Sequence, residues 1–358
     1  MLSVSDPVPF PAPPAAFNMA AHVLAQAERL ADKPALEIVG PNTTIWTYAQ
    51  IAAAVRGTAT GLRKLGLSEG DHLLLQLGNT AEFPITYLGA IAAGIIPVPV
   101  SSQLTVPEIT AIAATIRPAL TIRAAGMAEA PGRVVSADLL TDFHSLPPAD
   151  FTVGDPNRPA YVIYTSGTSG KPRPVVHAHR AIWARQMMWD GWYGLRETDR
   201  LLHAGAFNWT YTLGTGLMDP CSVGATALIP ASGTEAHQLP QLLADHGATI
   251  FAAAPGVYRR MLRAGFPPCP PCVMGFPQGK NWPRITARPG RRRPAPRFTR
   301  HSACRNVPPS SLAAPRALPR PDHQGTRSRA AVRRCWAQTA RCHVAPPAPS
   351  PFTAATPV

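Results

Sequence analysis

The feature that most restricts the fold of this chain is an alternation of short apolar runs with segments of helical periodicity. Between residues 17 and 265, runs of strand length are followed by apolar residues at the three- and four-residue spacing of a helix. This alternation is typical of an α/β protein built around sheets. The predicted strands cover residues 35–39, 44–47, 72–77, 95–100, 161–164 and 175–177.

The predicted helices fill the segments between these strands. They cover residues 17–31, 48–65, 80–93 and 106–116, and the alternation continues through 200–207, 218–229, 236–246, 250–254 and 256–264. Beyond Gly265 the periodicity disappears, and no run of six residues predicts a strand or a helix. We therefore expect a Pro-rich leader at residues 1–16, an ordered α/β region at 17–265 and a disordered tail at 266–358.

The charge of the chain changes at the same boundary. Residues 1–265 contain 18 Lys+Arg and 19 Asp+Glu, whereas residues 266–358 contain 16 Lys+Arg and one acid, Asp322. The tail also holds 19 of the 42 prolines and five of the six cysteines. A net charge of +14 would ordinarily suggest a nucleic-acid or anionic-membrane partner, but here the excess lies entirely in the tail.

Neither a secretory signal nor a membrane span is predicted. The first twenty residues lack a basic n-region and are interrupted by prolines. The most apolar run, residues 87–100, is too short to cross a bilayer and contains Gly94. Residues 1–265 hold a single cysteine, Cys221, which argues against a disulfide-stapled secreted protein. We expect a soluble cytoplasmic protein.

The motif most informative about chemistry lies in residues 160–180, which read AYVIYTSGTSGKPRPVVHAHR. Glycines allow successive backbone N–H groups to converge on an anion, hydroxyl groups add donors, and a lysine supplies a point charge for a phosphate oxygen. The loop between the two predicted strands therefore predicts a phosphate cradle. Its members are Thr165, Ser166, Gly167, Thr168, Ser169, Gly170 and Lys171.

Two other interpretations of this loop differ in strength. It is not a Walker P-loop, because Thr165 replaces the first glycine and Pro172 follows the lysine. The next element is predicted to be a strand, so capture of phosphate by a helix dipole is not the expected mechanism. A flexible Ser/Gly hairpin at the surface remains open, since both residue types are common in turns.

Residues 164–179 read YTSGTSGKPRPVVHAH, which resembles the signature of the adenylate-forming acyl-CoA synthetases, also called AMP-binding ligases. That signature reads YTSGTTGKPKG and precedes a strand with V-x-H-x-H. Ser169 and Arg173 keep its chemistry, whereas Pro174 stiffens the loop exit. The resemblance covers about residues 17–265. Its other segments are WTYAQIAAAVRGTATGLRKLGLSEGDHLLLQLGNTAEF, YLGAIAAGIIPVPVSSQLT and TIFAAAPGVYRRML.

The resemblance implies both a fold and a reaction. The fold would be the large N-terminal domain of the synthetases, with layered α/β sheets, in an incomplete form. A small-molecule carboxylic acid would attack the α-phosphate of Mg²⁺-bound ATP, and coenzyme A would then displace AMP to give a thioester. Residues 165–171 would hold the departing β- and γ-phosphates. ATP, Mg²⁺ and coenzyme A are thus the implied cofactors.

The same resemblance suggests a substrate pocket at residues 206–214, AFNWTYTLG. It assigns Phe207, Asn208 and Trp209 to that pocket, with the two aromatic rings as an apolar wall. The alternative is that both rings are ordinary core aromatics. This middle segment most resembles the branch of the family that activates aromatic or short-to-medium-chain acids. The sequence assigns no catalytic residue.

His177 and His179 are two residues apart on a predicted strand and therefore share one face. Two histidines alone make a weak metal site, so no metal site is predicted. We expect one of the two to pack near the nucleotide.

The tail lacks motifs that the resemblance requires: an acid-bearing motif like YEALGMSE, a ribose-binding aspartate and a C-terminal domain with a catalytic lysine. If the last base of each codon is joined to the first two of the next, residues 289–311 permit WEAATGTPVYEALGMSECSTFI. We therefore hypothesise a frame shift near the codon for Pro267. The chain as written is expected to be inactive, because the acid that would hold Mg²⁺ and the lysine are missing.

Two alternative functions follow from the same sequence. The first is a nucleic-acid binder, because the Arg-rich tail with Arg291, Arg292 and Arg293 is typical of one, although the frame shift explains the tail more simply. The second is a fragment that binds nucleotide without catalysis. We expect no nucleic-acid partner.

The pair Cys269 and Cys272 resembles half of a zinc or redox site but has no second half.

Overall fold

The computed structural model describes residues 10–165 and 172–263. Within these residues the strands form a five-stranded, a four-stranded and a two-stranded sheet. The strands are β1 (Pro34–Val39), β2 (Thr44–Thr47), β3 (His72–Gln76), β4 (Ile96–Pro99), β5 (Leu120–Arg123), β6 (Val134–Ser136), β7 (Pro159–Thr165), β8 (Arg173–Ala178), β9 (Arg200–Ala204), β10 (Thr226–Pro230) and β11 (Ile250–Ala253).

Helices connect most of these strands. A 3₁₀ turn at Ala137–Leu139 precedes α5, and a π-helix at Thr212–Met218 continues directly into α7. The α-helices of the described chain are α1 (Met19–Val23), α2 (Tyr48–Lys64), α3 (Glu82–Ala92), α4 (Val106–Ile116), α5 (Leu140–Phe143), α6 (Ala181–Trp189), α7 (Asp219–Val223), α8 (Leu239–Asp245) and α9 (Pro255–Arg263).

The two larger sheets are built from parallel strands. Sheet I has the order β11-β9-β10-β1-β2, in which only the pairing of β2 with β1 is antiparallel. Sheet II has the order β4-β3-β5-β6 and is parallel throughout. Parallel sheets are covered on both faces, so their strands are apolar on both. Leu73, Leu74 and Leu75 of β3 are accordingly all fully buried.

Layers of helix cover these sheets. Helices α2 and α3 share one apolar core with residues of β1 and β10 in sheet I and of β3 in sheet II. On the other face of sheet I, α8 and α9 form a second core in which Leu243 and Tyr258 pack with Leu202 and Phe251. The prediction of layered α/β sheets is confirmed.

Most predicted boundaries agree with the structure to within a few residues. Helix α2 begins where predicted because Thr47 and Gln50 form a capping box, in which each side chain accepts the other residue's backbone N–H at 3.3 and 2.8 Å. The predicted helix at 17–31 is wrong beyond Val23. Turns follow instead, with bonds such as Ala27 N to the Leu24 carbonyl, and these turns place the same apolar residues inward.

Three parts of the sequence-based prediction are not described by the structure. Residues 1–9 of the leader, residues 166–171 of the motif and the tail from residue 264 onward lie outside the described residues. Within the described ranges, no helix combines the length and apolar character needed to cross a membrane.

Candidate functional site

The predicted phosphate loop is carried by the two-stranded sheet of β7 and β8. These strands pair antiparallel, with Thr165 opposite Arg173 at the end that the loop closes. The prediction that a strand follows the loop is confirmed by β8. Thr165 is exposed, and its Oγ1 donates a hydrogen bond to the Arg173 carbonyl at 3.5 Å. The other six members, Ser166, Gly167, Thr168, Ser169, Gly170 and Lys171, lie outside the described residues.

A cleft of about 250 Å³ opens where β3 of sheet II and β9 and β10 of sheet I end. Ligands of open α/β sheets bind at the carboxyl ends of parallel strands, so this is a favoured position for a site. Its lining is mainly small and polar, and it includes Ser102, Ser232, Thr234 and Arg260. Among the residues that the structure describes, no Asp or Glu lines it.

Asn79 joins the two sheets at this cleft. Its Nδ2 donates hydrogen bonds to the carbonyl oxygens of Gly205 at 3.0 Å and Pro230 at 3.2 Å. Its Oδ1 accepts the N–H of Phe207 at 3.2 Å, and its own N–H donates to Ser232 Oγ at 2.9 Å. One side chain therefore satisfies three backbone groups at the ends of β9 and β10.

The three residues assigned to the substrate pocket have different environments. Phe207 lines the cleft but its ring is 1% exposed and stacks on Phe83, with ring centroids 5.0 Å apart. Asn208 is half-buried and also lines the cleft. Trp209 is 37% exposed and meets Tyr211 edge-to-face at 5.6 Å. The two aromatic rings of the predicted wall therefore do not stand side by side at the cleft.

His177 and His179 both lie in the interior. The His177 ring stacks on Tyr161 with centroids 4.5 Å apart, and burial, together with the nearby Arg185 cation, lowers its pKa to about 4. His179 Nδ1 accepts the backbone N–H of Met19 at 2.9 Å. Burial and the nearby charge of Arg158 lower the pKa of His179 to about 3. Both imidazoles are therefore neutral at physiological pH, and His179 holds the start of α1 in place.

A buried ion pair joins α6 to α7. Arg185 of α6 donates from Nε to Asp219 Oδ1 at 2.8 Å and from Nη2 to Asp219 Oδ2. Tyr193 donates its hydroxyl to the same carboxylate, whose side chain is fully buried. Burial disfavours the guanidinium charge, but the Asp219 carboxylate outweighs it and raises the pKa of Arg185. The pair is thus charged and nearly saturated with donors.

The π-helix is shaped around this pair and around His203 of β9. A Cβ at Gly214 would lie 2.5 Å from Arg185 Cζ, and one at Gly216 would lie 2.7 Å from His203 Cβ. Only glycine leaves room for these side chains. His203 is fully buried, neither ring nitrogen has a hydrogen-bond partner, and burial lowers its pKa to about 3.

The described residues contain no group of three or more His, Cys, Asp or Glu side chains that would hold a metal ion. The acid that the resemblance assigns to Mg²⁺ would belong to a later motif, outside the described ranges.

The AMP-binding enzyme family matches residues 23–278, which is well over half of the sequence. The chain belongs to this family. The sequence-based resemblance to the AMP-binding ligases is therefore confirmed. The match extends beyond residue 265, where the periodicity of the sequence ends.

Named relatives of this chain include CoA ligases. A 3-hydroxybenzoate–CoA ligase of Aromatoleum sp. (strain CIB) is 27% identical over 261 residues, which cover 67% of this chain and 49% of the relative. A long-chain-fatty-acid–CoA ligase of Mycobacterium tuberculosis is 32% identical over 182 residues, which cover 46% of this chain and 36% of the relative. The chain thus spans about half, or less, of the length of the curated relatives it matches.

Solved structures agree with this membership. A benzoate CoA ligase from Burkholderia xenovorans LB400 superposes with a TM-score of 0.62 at 27% identity, covering 71% of this chain and 53% of that one. An N-terminal domain from Mycobacterium tuberculosis, crystallised with an inhibitor, superposes with a TM-score of 0.62 at 25% identity. It covers 68% of this chain and 64% of the other. The described sheets therefore share the fold of the N-terminal region of acyl-CoA ligases.

Several residues of the site were missed by reasoning from the sequence. Asn79 follows β3 closely, and residues 232–234 follow β10. Their position just after predicted parallel strands was the signal that would have identified them. Arg260 was predicted only as part of a helix, and the pairing of Arg185 with Asp219 had no local signal.

Proposed function

We propose that this chain is the ATP-binding half of an AMP-forming carboxylate–CoA ligase that acts on an aromatic acid. The observation that carries the proposal is the hydroxyl- and glycine-rich motif between β7 and β8, in a chain that belongs to the AMP-binding enzymes. Relatives named for benzoate and hydroxybenzoate support the aromatic class, although a fatty-acid ligase is also among them.

The chemistry of the motif fits the first half-reaction. The antiparallel pairing of Thr165 with Arg173 holds the two ends of the loop together. Lys171 and the hydroxyls would stabilise the charge that develops on pyrophosphate as the acyl-adenylate forms. Binding in this loop requires no helix N-terminus, because β8 follows it.

The cleft at Asn79 is the proposed entry for the coenzyme A arm. Its small and hydroxylated lining suits a narrow chain of amides better than a planar ring. The fixed carbonyls of Gly205 and Pro230 are already bonded to Asn79, so the cleft keeps its shape without a ligand.

We propose that the 358-residue chain binds nucleotide but does not turn over, because residues 266–358 contain none of the later family motifs. A cytoplasmic location is proposed with it, since ATP and coenzyme A are cytoplasmic and Cys221 is a free, buried thiol. We propose no nucleic-acid partner. Nucleotide binding without catalysis is the alternative function that the motif supports.

Calorimetric titration of the full chain with Mg²⁺-ATP tests the nucleotide site. We expect Lys171→Met to weaken binding about ten-fold, as for the loss of one charge-assisted contact to phosphate. Lys64→Met is the matched control, because Lys64 is an exposed lysine at the end of α2. If both substitutions weakened Mg²⁺-ATP binding equally, residues 165–171 would not be the phosphate-binding loop.

A pyrophosphate-exchange assay distinguishes an active ligase from a fragment that binds nucleotide without catalysis. With 3-hydroxybenzoate or benzoate as the acid, we expect no exchange by the chain as written and measurable exchange after the reading frame is restored. Exchange that responds to a long-chain fatty acid and not to either aromatic acid would overturn the proposed substrate class.

A further inference from the structure

We infer that Arg260 recognises a phosphate group of the thiol co-substrate at the mouth of the Asn79 cleft. The inference rests on the proposed function, because it takes coenzyme A as the occupant of that cleft. Arg260 is the only charged side chain among the described residues that line the cleft.

The phase of α9 directs Arg260 to the cleft. Tyr258 and Met261 are 2% and 1% exposed and pack into the core beneath sheet I, and Tyr258 donates its hydroxyl to the Phe251 carbonyl at 3.2 Å. With that face buried, Val257 and Arg260, three residues apart, share the face that lines the cleft. The position of Arg260 is therefore set by the core.

The guanidinium group of Arg260 is free to bind an anion. No ion pair joins it to any described residue, and its side chain is exposed. A Cβ at Gly256 would lie 3.7 Å from its Nη1, so the side chain extends back over the first turn of α9.

The size of the cleft indicates which end of the co-substrate lies near Arg260. At about 250 Å³ the cleft is smaller than a typical pocket for a whole drug-sized ligand, so it accommodates an arm rather than a complete nucleotide. The phosphate-bearing end then stays at the mouth, where guanidinium is the side chain best suited to a phosphate oxygen pair.

Titration calorimetry with coenzyme A and with pantetheine, which lacks every phosphate, tests this inference on the full chain. We expect Arg260→Gln to weaken binding of coenzyme A about ten-fold and to leave binding of pantetheine unchanged. Arg259→Gln is the matched control, since Arg259 is the preceding exposed arginine of α9 and is absent from the described cleft lining. It should bind coenzyme A like the wild type.

Raising the salt concentration gives a second readout. Binding of coenzyme A should weaken with salt in the wild type and much less in Arg260→Gln, because screening acts on the charge that the variant lacks. Equal loss of coenzyme A affinity in the Arg259 and Arg260 variants would overturn the proposed role of Arg260. So would an equal loss of affinity for coenzyme A and for pantetheine in Arg260→Gln. Either result would leave the proposed use of the cleft in place. Binding of Mg²⁺-ATP without any binding of coenzyme A would overturn both that role and the proposed use of the cleft, while leaving the nucleotide site intact.

Discussion

Asn79 Nδ2 lies 3.0 Å from the carbonyl oxygen of Gly205, so the segment after β3 is bonded directly to the segment after β9. The two residues follow strands of different sheets and are 126 positions apart in the sequence. The bond closes the floor of the cleft and holds the two sheets in register at their carboxyl ends. Loss of this contact is therefore expected to affect stability and ligand binding together.

Asn79→Ala should lower the free energy of unfolding by about 1–3 kcal/mol, because it leaves two carbonyls and the Phe207 N–H unpaired. Urea denaturation followed by circular dichroism measures the change. Asn157→Ala is the control, since Asn157 is exposed and bonds only to Asp155, and it should stay within about 0.5 kcal/mol of the wild type. Equal effects of the two substitutions would show that the bonds of Asn79 do not hold the sheets.

Arg185→Met should destabilise the fold by about 3–5 kcal/mol, because it leaves the fully buried Asp219 carboxylate without its cation. The double variant with Asp219→Asn should cost less than the sum of the two single changes, as measured in a double-mutant cycle. The control is Arg196→Met. Its partner Asp190 is 81% exposed, so its loss should cost at most about 1 kcal/mol. If the two single changes in the free energy of unfolding added up to that of the double variant, Arg185 and Asp219 would not be coupled.

Stability should fall as the pH drops below about 6.5, the ordinary pKa of histidine, because the unfolded chain then binds protons that buried His203 does not. Burial lowers the pKa of His203 in the folded chain to about 3, so its contribution is full above 6.5 and is lost as the pH falls toward 3. The slope from this residue is about 1.4 kcal/mol per pH unit.

His203→Leu should make the acid limb of the stability curve shallower by about that slope, as measured by urea denaturation between pH 7 and pH 4.5. His237→Gln changes an exposed histidine and should leave the limb as it is in the wild type. An unchanged slope in the His203 variant would mean that this imidazole takes up a proton in the folded state.

A clean read of the genomic DNA across codons 260–275 should restore one base and continue the frame into a motif like YEALGMSE. The physical basis is the loss of helical and strand periodicity after Gly265 together with the sudden excess of arginine. A read that reproduces the present frame would make the tail a true product of the gene. Pyrophosphate exchange should then be absent.

Elements with a local signal were predicted well. The strand at 35–39 and the helix at 106–116 agree with β1 and α4, because apolar spacing and a capping threonine act within a few residues. The hairpin that carries the motif was likewise predicted from its flanking apolar runs. These features depend on residues that are close together in the sequence, so the sequence alone is enough to predict them.

The site depends on contacts that are remote in the sequence, and these were not predicted. Asn79 meets Pro230 across 151 residues, and Arg185 meets Asp219 across 34. Trp209 looked equivalent to Phe207 in the sequence, yet one ring is exposed and the other buried. Which face of a short irregular segment turns inward is decided by packing on the sheet rather than by residue type.

The bonds of Asn79 also constrain when the cleft can form during synthesis. Asn79 leaves the ribosome early, but Ser232, which accepts its backbone N–H, is translated 153 residues later. At about 5–20 residues per second, that interval lasts on the order of ten seconds or more. Sheet II can pair before then, since all of its strands precede residue 137, whereas the rim of the cleft must wait for β9 and β10. During this interval Asn79 lacks its partners Gly205, Pro230 and Ser232, and this is the stage at which a chaperone would have most to protect.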